Sequence, residues 1–321
     1  EKEEDYEIQL SESQTTVLES IKDKFTQFDV NLLHGVTASG KTEVYIKLIE
    51  EFLQQDKQVL FLLPEIALTT QLVQRLSAYF GNQIAVFHSK YNSNERVEVY
   101  NHVLQNSEKA KVVLGVRSAL FLPFSNLGLI VVDEEHEATY KQQDPAPRYH
   151  ARDAAIVLAK FHNAKVLLGS ATPSLESYHN AKTNKYGLIE LFTRFNNVLL
   201  PEIHLIDLKD KYFRKRMDGH FSDELLERMH ETLANNEQIM LFQNRRGYSP
   251  YIECTTCGHV PQCPSCDVSL TYYKYKNHLK CHYCGHSMAK PTHCHACNSL
   301  DISAKGFGTE QVELELMKLF P

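Results

Sequence analysis

Apolar runs alternate with amphipathic stretches along the first half of the chain. The continuous apolar segments Val59–Leu63 and Leu129–Val132 predict strands that are buried on both faces, as in a parallel sheet. Helical spacing of apolar residues predicts a helix over Lys41–Gln55. The same pattern predicts further strands at Leu32–His34, Ile84–Phe87, Val112–Leu114 and Val166–Leu168, and further helices at Ser13–Phe25, Leu68–Phe80 and Asn94–Leu104. This alternation predicts a doubly wound α/β domain up to about residue 185.

A second α/β unit is expected to begin near Ile203. Ser222 is a candidate N-cap for a helix that runs to Ala234, and Gln238–Phe242 has the apolar content of a strand. Gln311–Phe320 predicts a short amphipathic helix. The stretch between the last two segments has a different composition, so the second unit is expected to be interrupted.

This stretch holds all eight cysteines of the chain within 44 residues. The cysteines form four C-x-x-C pairs, which are Cys254/Cys257, Cys263/Cys266, Cys281/Cys284 and Cys294/Cys297. Four thiolates fill one tetrahedral zinc site, so eight predict two closed, structural Zn²⁺ sites. The spacing leaves open whether neighbouring pairs share a metal or whether an inner site is nested within an outer one. The hairpin-like segment Leu270–Lys276 lies between the second and third pairs and predicts a strand.

Composition limits the class of protein. With 321 residues, 43% of them hydrophobic, the chain is typical of a globular protein with two or three domains. It has no apolar run near the ~20 residues of a membrane span, and its acidic start lacks a signal-peptide core, so a cytoplasmic location without membrane contact is expected. The net charge of −6 argues weakly against nucleic-acid binding, but residues 241–300 carry six Lys or Arg against two acids. A local nucleic-acid surface in this region is therefore an open hypothesis.

One segment fits the phosphate-binding pattern G-x-x-x-x-G-K-[ST]. It lies between a predicted strand and a predicted helix, where backbone N–H groups and the helix N-terminus favour phosphate. Lys41 would reach the β- and γ-phosphates of ATP, and Thr42 would ligate Mg²⁺. The nucleotide-binding residues predicted in this way are Gly35, Val36, Thr37, Ala38, Ser39, Gly40, Lys41 and Thr42.

Two further motifs follow later strands. Asp133-Glu134-Glu135-His136 comes directly after Leu129–Val132, where Asp133 would hold Mg²⁺ and Glu134 would polarise the attacking water. Ser170 and Thr172 lie in Gly-Ser-Ala-Thr-Pro after the strand Val166–Leu168, and their hydroxyls could relay between the nucleotide and DNA.

These motifs resemble the superfamily 2 helicases, and in detail the PriA family of bacterial primosomal replication-restart helicases (primosomal protein N′). The matching stretches are Gly35–Tyr45, Leu63–Gln71, Gly115–Leu120, Val132–His136, Tyr140–Arg152, Gly169–Ser174, Asn244–Tyr248, the cysteine block and Gly306–Val312. One departure is Ala38, where the family usually has glycine, and the position is expected to be unconstrained.

The resemblance implies a domain plan. Residues 1–12 would be a charged linker, 13–190 a RecA-like ATP-binding lobe, and 191–250 the start of a second RecA-like lobe. Residues 251–300 would form an inserted two-zinc module with nested cysteine pairing, and 301–321 would return to the second lobe. Because an arginine that reaches the γ-phosphate across the cleft is not found, the chain is expected to be a fragment of the motor core that binds ATP and DNA but unwinds little.

The resemblance also implies residues that couple ATP to DNA. Gln14 would contact adenine, although capping of a helix by Ser11 or Ser13 explains the same segment equally well. An aromatic and basic loop in Tyr140–His150 would sense DNA by stacking and cation contacts. The residues expected to contact DNA or to couple it to ATP are Arg117, His136, Tyr140, Lys141, Arg148, Tyr149, Ser170 and Thr172.

The implied activity is that of an ATP-dependent 3′→5′ DNA helicase, with DNA-stimulated ATP hydrolysis, at stalled replication forks. Its expected partners are forked and single-stranded DNA, primosome proteins and single-stranded-DNA-binding protein, at the nucleoid. Two alternatives stay open. The chain could belong to another superfamily 2 translocase on duplex DNA or an RNA helicase, or its zinc module could act as a scaffold for primosome proteins with the motor dispensable.

Overall fold

The computed structural model describes residues 8–64, 70–87, 92–195, 198–199, 201–244, 247–249, 251–266, 268–306 and 308–320. The chain divides into two compact units, residues 1–201 and 202–321. Among the described residues, none of the helices has the length and apolar content that crossing a bilayer requires.

The first unit is built on a parallel sheet. Its described strands are β1 (Val30–Gly35), β2 (Gln58–Leu62), β3 (Ile84–Phe87), β4 (Val112–Gly115), β5 (Leu127–Asp133), β6 (Lys165–Ser170) and β7 (Gly187–Leu191). They lie in the order β3-β4-β2-β5-β6-β1-β7, and the paired strands are parallel throughout. The predicted doubly wound α/β fold is therefore confirmed, and it places the carboxyl ends of β5, β6 and β1 side by side at one edge.

Helices cover both faces of this sheet. They are α1 (Glu12–Phe25), α2 (Lys41–Gln54), α3 (Thr70–Phe80), α4 (Ser93–Leu104), α5 (Ala151–His162) and α6 (Leu175–Lys182). Successive residues of β2 point to opposite faces, so Leu60 and Leu62 join one buried cluster while Val59 and Phe61 join the other. Because both faces are buried, the central strands are apolar at nearly every position, which is why their sequences predicted them.

The second unit has small sheets and separate helices. Its described elements are α7 (Leu208–Phe213), β8 (Met217–Asp218), β9 (Phe221–Ser222), α8 (Asp223–Ala234), β10 (Tyr251–Cys254), β11 (Thr271–Tyr273), β12 (His278–Lys280), β13 (Ser287–Ala289), β14 (Ile302–Lys305) and α9 (Thr309–Leu319). β10 pairs antiparallel with β14, and β11, β12 and β13 form an antiparallel sheet. Ser222 caps α8 by accepting from the N–H of Leu225, as predicted.

Two predictions of local structure need correction, and a third is described only in part. Gln238–Phe242 is not a strand, because none of the described strands pairs with it, and Met240 and Phe242 are exposed. The strand expected over Leu270–Lys276 is limited to β11, since Lys274–Asn277 form the turn to β12. The first two residues of the helix predicted over Leu68–Phe80 lie outside the described residues, and α3 is described from Thr70.

Candidate functional site

The phosphate-binding segment connects β1 to α2. Gly40 is the N-cap of α2 with φ 79°, a conformation that favours glycine. A Cβ atom there would lie 2.0 Å from Gln14 Nε2 and would displace that amide. The side chain of Lys41 folds back and donates from Nζ to the Gly35 carbonyl oxygen at 2.9 Å. The hydroxyl of Ser39 is buried without a hydrogen-bond partner among the described residues. A free hydroxyl and a lysine at a helix N-terminus fit the phosphates of a nucleotide.

Ala38 has a left-handed backbone with φ 62°. The expectation that this position is unconstrained is therefore wrong. An alanine Cβ is disfavoured at positive φ by about 1–2 kcal/mol, whereas glycine adopts this region freely. This conformational demand explains a preference for glycine at position 38.

Gln14 joins helix α1 to the phosphate-binding segment. Its side-chain oxygen accepts from the N–H of Ser11, and the hydroxyl of Ser11 accepts from the N–H of Gln14, which makes a capping box. Its Nε2 donates to the carbonyl oxygens of Gly40 at 3.2 Å and Ser39 at 3.4 Å, and the residue is only 3% exposed. The capping interpretation thus has direct contacts, and the adenine contact stays a prediction.

A cleft of about 450 Å³ opens beside this segment, within the size range of small-ligand sites. It is lined by Gln9, Gln14, Thr37, Ala38, Ser39, Gly40, Lys41, Thr42, Glu43, Arg75, Asp133, Glu134 and Phe195. The phosphate-binding segment and the two carboxylates predicted for metal and water therefore share one cavity.

Asp133 lies at the end of β5 and is held by a tyrosine from α2. The Tyr45 hydroxyl donates to Asp133 Oδ1 at 3.0 Å, and Tyr45 is fully buried. Burial, together with the charge of Glu134, raises the pKa of Asp133 to about 6. Burial and the neighbouring carboxylate also raise the pKa of Tyr45 well above its usual value, so its hydroxyl remains a donor. A Cβ on Gly169 would lie 1.7 Å from this hydroxyl, so glycine is required opposite it.

His136 links the acidic motif to the end of β6. Its Nδ1 lies 2.8 Å from Ser170 Oγ and 3.6 Å from Glu134 Oε2, and its Nε2 lies 3.5 Å from Thr172 Oγ1. Ser170 Oγ also accepts from the N–H of Thr172 at 3.0 Å. The coupling residues predicted in these two motifs are thus in direct contact, across the neighbouring strands β5 and β6.

Tyr140 is placed differently from a base-stacking residue. It is 1% exposed, and its hydroxyl donates to the carbonyl oxygens of Asp133 at 2.7 Å and Leu62 at 3.0 Å. A DNA base has no access to a ring buried in this way, so the expectation that Tyr140 stacks on DNA is wrong. The hydroxyl contacts the backbone of Asp133, and the coupling role of Tyr140 stays a prediction.

The segment after Tyr140 forms a loop closed by a bridge between Lys141 and His150. Arg117 is tied to the base of this loop, since its Nη1 donates to the carbonyl oxygens of Thr139 and Lys141, both at 3.3 Å. The ring of Tyr149 packs edge-on against Phe121, with centroids 5.1 Å apart.

Two side chains of the loop differ in their freedom to reach a ligand. Lys141 Nζ donates to the Arg148 carbonyl oxygen at 2.5 Å, while the Arg148 residue itself is exposed. Arg148 is therefore accessible to a ligand, whereas Arg117 and Lys141 are part-buried and stabilise the loop.

The cysteines form two groups of four in the second unit. The groups are Cys254, Cys257, Cys294 and Cys297, and Cys263, Cys266, Cys281 and Cys284, and the Sγ atoms of each group lie within 4.8 Å of one another. Sulfur separations of 3.6 Å and 3.4 Å in the two groups are near the ~3.8 Å that a tetrahedral zinc with ~2.3 Å bonds requires. The residues fit zinc, and the nested pairing, with an inner group inside an outer one, is the one observed.

Several residues that surround the cleft without lining it were missed from the sequence. Tyr45 lies one helical turn after Thr42, so helix periodicity could have placed it beside the phosphate-binding segment. Glu135 and Arg152 form a buried ion pair whose Nη1–Oε2 distance is 3.0 Å. No local signal predicted this pair, because its members are 17 residues apart. Arg245 and Arg246 of the motif Asn244–Tyr248 lie outside the described residues.

Comparison with known sequences decides the family. A sequence model of the DEAD/DEAH box helicases matches residues 11–181, which is more than half of the chain. The chain belongs to the DEAD/DEAH box helicase family. A second model, the PriA DNA helicase Cys-rich region (CRR) domain, matches residues 263–288 and so covers the inner cysteine group.

The relatives of this helicase chain are replication restart proteins. The Replication restart protein PriA of Bacillus subtilis (strain 168) is 45% identical over 316 residues, which cover 98% of this chain and 39% of that protein. The PriA proteins of Haemophilus influenzae and Chlamydia pneumoniae are 47% and 42% identical, over 92% and 93% of this chain and 39% and 40% of theirs. The resemblance to the PriA family is confirmed, and the chain spans about two fifths of the length of these relatives.

Proposed function

We propose that this chain is the ATP-hydrolysing motor part of a DNA helicase that acts in replication restart, moving 3′→5′ at stalled forks and assisting primosome assembly. The supporting observation is the convergence of the three motifs at one edge of the sheet. Lys41 follows β1, Asp133 ends β5 and Ser170 ends β6, and these three strands are neighbours.

The chemistry proposed for the cleft is phosphoryl transfer from ATP to water. Lys41 leaves the Gly35 carbonyl and pairs with the β- and γ-phosphates, while the backbone N–H groups of the segment hold the phosphate chain. Thr42 and Asp133 are the proposed ligands of a Mg²⁺ ion, which would neutralise charge on the phosphates. Glu134, half-exposed at the cleft, accepts a hydrogen bond from the attacking water and orients it.

The proposed DNA partner is a single strand at a fork. The loop that follows Tyr140 exposes Arg148 and is anchored directly to Asp133 through Tyr140. Movement of the loop would therefore shift Asp133 relative to the nucleotide. A role in restart further implies contacts with primosome proteins and single-stranded-DNA-binding protein, and a place in the cytoplasm at the nucleoid. These partners are proposed on the relationship to the PriA proteins.

Two Zn²⁺ ions are proposed for the cysteine module, one in each group of four thiolates. Because four sulfurs complete a tetrahedron, neither ion has a free position for substrate, and its contribution is to folding. The inner group lies next to the sheet of β11, β12 and β13, with Cys263 and Cys281 in its buried cluster. Zinc is therefore proposed to fix this hairpin relative to the strands β10 and β14.

The test is an ATPase and strand-separation assay on the intact protein that contains this chain. We expect single-stranded DNA to stimulate ATP hydrolysis and forked DNA, rather than RNA, to be unwound. Lys41→Ala should lower both rates about a hundredfold or more, as loss of a transition-state charge partner does. Equal activity on RNA would favour the alternative of an RNA helicase, and primosome loading that survives Lys41→Ala would favour the scaffold. Absence of DNA-stimulated hydrolysis in the wild type would overturn the proposal.

A further inference from the structure

Glu135 is the one acidic residue of Asp133–His136 that faces away from the cleft. It is completely buried, and its carboxylate accepts four hydrogen bonds. The donors are Arg152 Nη1 at 3.0 Å, the Ser174 N–H at 2.6 Å, the Ser174 hydroxyl at 3.0 Å and the Ser177 hydroxyl at 2.8 Å. Its own N–H donates to the Gly169 carbonyl oxygen at 3.1 Å. A buried carboxylate with this many donors is held in one orientation.

Arg152 is equally constrained on the other side of the pair. It lies in the first turn of α5, two residues after the loop-closing His150, and its side chain is 10% exposed. Its Nη1 also donates to the hydroxyls of Ser174 at 2.6 Å and Ser177 at 3.3 Å, and its Nε donates to Asp153 at 2.8 Å. The Ser174 hydroxyl accepts from Arg152 and donates to Glu135 while it caps α6.

The position of this cluster joins three functional segments. Glu135 follows Asp133 and Glu134, and Ser174 follows the Ser170–Thr172 motif. Arg152 lies in the first turn of α5, the helix after the exposed loop. The loop is thus attached to the end of β5 at both of its ends, through Tyr140 to the Asp133 carbonyl and through Arg152 to the Glu135 carboxylate. A displacement of the loop would be transmitted through these two contacts to the residues that face the nucleotide.

Stability alone is a weak reason to bury such a pair. Removing two charges from water costs several kcal/mol, and apolar replacements of similar volume are often as stable or more so. What the pair provides is a fixed geometry among segments that are distant in sequence. Fixed geometry is what coordination between a DNA-contacting loop and an ATP site needs.

We propose that Glu135 and Arg152 are positioning residues that couple occupancy of the 141–150 loop by DNA to the orientation of Asp133 and Glu134. The inference rests on the proposed function, since it concerns how DNA stimulates that ATPase. Neither residue contacts the nucleotide cleft, so the pair acts through its neighbours. The prediction that follows is loss of stimulation with retention of the DNA-free rate.

The experiment compares Glu135→Gln and Arg152→Lys with wild type in the intact protein. Glu135→Gln keeps the shape but removes the charge and replaces one of the two acceptor oxygens by an NH₂ donor. Arg152→Lys keeps the charge but removes the planar fork. We measure the ATPase rate without DNA, the rate at saturating single-stranded DNA, the DNA concentration at half-maximal stimulation, and the melting temperature. Asp153→Asn is the matched control, because it removes the charge of the exposed partner of Arg152 and leaves the buried carboxylate unchanged.

The expected result is a fall of about tenfold in the ratio of stimulated to DNA-free rate for both variants, within the range of coupling between two sites. The DNA-free rate should stay near that of wild type, and Asp153→Asn should keep its stimulation. A ratio equal to wild type in both variants would overturn the proposal, and so would an equal fall of both rates. If Glu135→Gln fails to fold, Arg152→Lys decides alone. A wild type without stimulation refutes the proposed function, whereas a stimulated wild type with stimulated variants refutes only the coupling role.

Discussion

The hydroxyl of Tyr45 donates a hydrogen bond of 3.0 Å to Oδ1 of Asp133, and so ties the helix after the phosphate-binding segment to the end of β5. The other carboxylate oxygen, Oδ2, takes no part in this bond, and Asp133 lines the cleft. Gly169 of the next strand faces the same hydroxyl, where a Cβ would lie 1.7 Å away. One residue from each of the three motif segments therefore meets at this point.

Removal of this hydroxyl should weaken Mg²⁺ binding at the ATPase site more than it destabilises the fold. In Tyr45→Phe the ring remains buried against Phe61, with which it makes an edge-on contact of 5.6 Å between centroids, but Asp133 loses its fixed orientation. Loss of such a supporting bond costs about tenfold or more in metal affinity. We expect the Mg²⁺ concentration at half-maximal ATPase to rise by about that factor.

The measurement is a Mg²⁺ titration of ATP hydrolysis by the intact protein, with thermal melting alongside. Tyr100→Phe on the exposed side of α4 is the control, since it makes the same chemical change away from the cleft. An unchanged Mg²⁺ requirement in Tyr45→Phe would mean that Asp133 does not depend on this bond.

Ala38→Gly should stabilise the first unit. The left-handed φ of 62° costs alanine about 1–2 kcal/mol, of which the greater freedom of unfolded glycine returns a part, so a net gain of about 0.5–1 kcal/mol is expected. Urea unfolding of the two proteins measures this difference. Ala154→Gly in helix α5 is the opposite control and should destabilise by about 1 kcal/mol. A loss of stability in Ala38→Gly would show that the positive φ is not maintained.

With one Zn²⁺ in each nested group of four cysteines, as proposed, the number of ions that a cysteine replacement releases depends on the group it belongs to. Cys254→Ser and Cys263→Ser should each release one Zn²⁺, and the double variant should release two because the residues belong to different groups. Under consecutive pairing the same two cysteines would share one metal, and the double variant would release only one. Zinc per chain, measured by plasma mass spectrometry, separates the two arrangements. Cys263→Ser with Cys281→Ser is the matched control within one group and should release a single ion.

The sequence predicted the central strands because each is apolar on both faces, as Val59–Leu63 shows. β7 was missed because it lies at the edge of the sheet, where Glu190 is exposed and the apolar run is broken. Gln238–Phe242 was wrongly predicted as a strand because the prediction rested on its apolar composition alone. Its composition suits a strand, but strand structure also needs a hydrogen-bonded neighbour, and among the described residues it has none.

The candidate site was predicted where chemistry is local and missed where it depends on tertiary contacts. The phosphate-binding segment and the acidic motif are contiguous, so their residues could be assigned one by one. Tyr140 was expected to stack on DNA because its neighbours are aromatic and basic, but its hydroxyl satisfies two carbonyl oxygens in the interior. The buried partner of Glu135 could not be found from sequence, because the fold rather than the spacing brings Arg152 to it.

Replacement of Tyr140 and replacement of Arg148 should have different effects on DNA binding and on ATP hydrolysis. Arg148 is exposed, so Arg148→Ala should raise the DNA concentration needed for half-maximal ATPase stimulation. It should also reduce the slope of the logarithm of the binding constant against the logarithm of the salt concentration by roughly 0.7, which is the contribution of one phosphate contact. Tyr140→Phe keeps the buried ring but loses bonds to Asp133 and Leu62, so it should leave the salt slope unchanged and lower the maximal rate.

Fluorescence anisotropy with labelled single-stranded DNA at several salt concentrations measures the slope. Lys160→Ala, which removes one exposed charge from α5, controls for net charge. A changed salt slope in Tyr140→Phe would contradict its placement as a buried coupling residue, and an unchanged slope in Arg148→Ala would remove that side chain from the DNA surface.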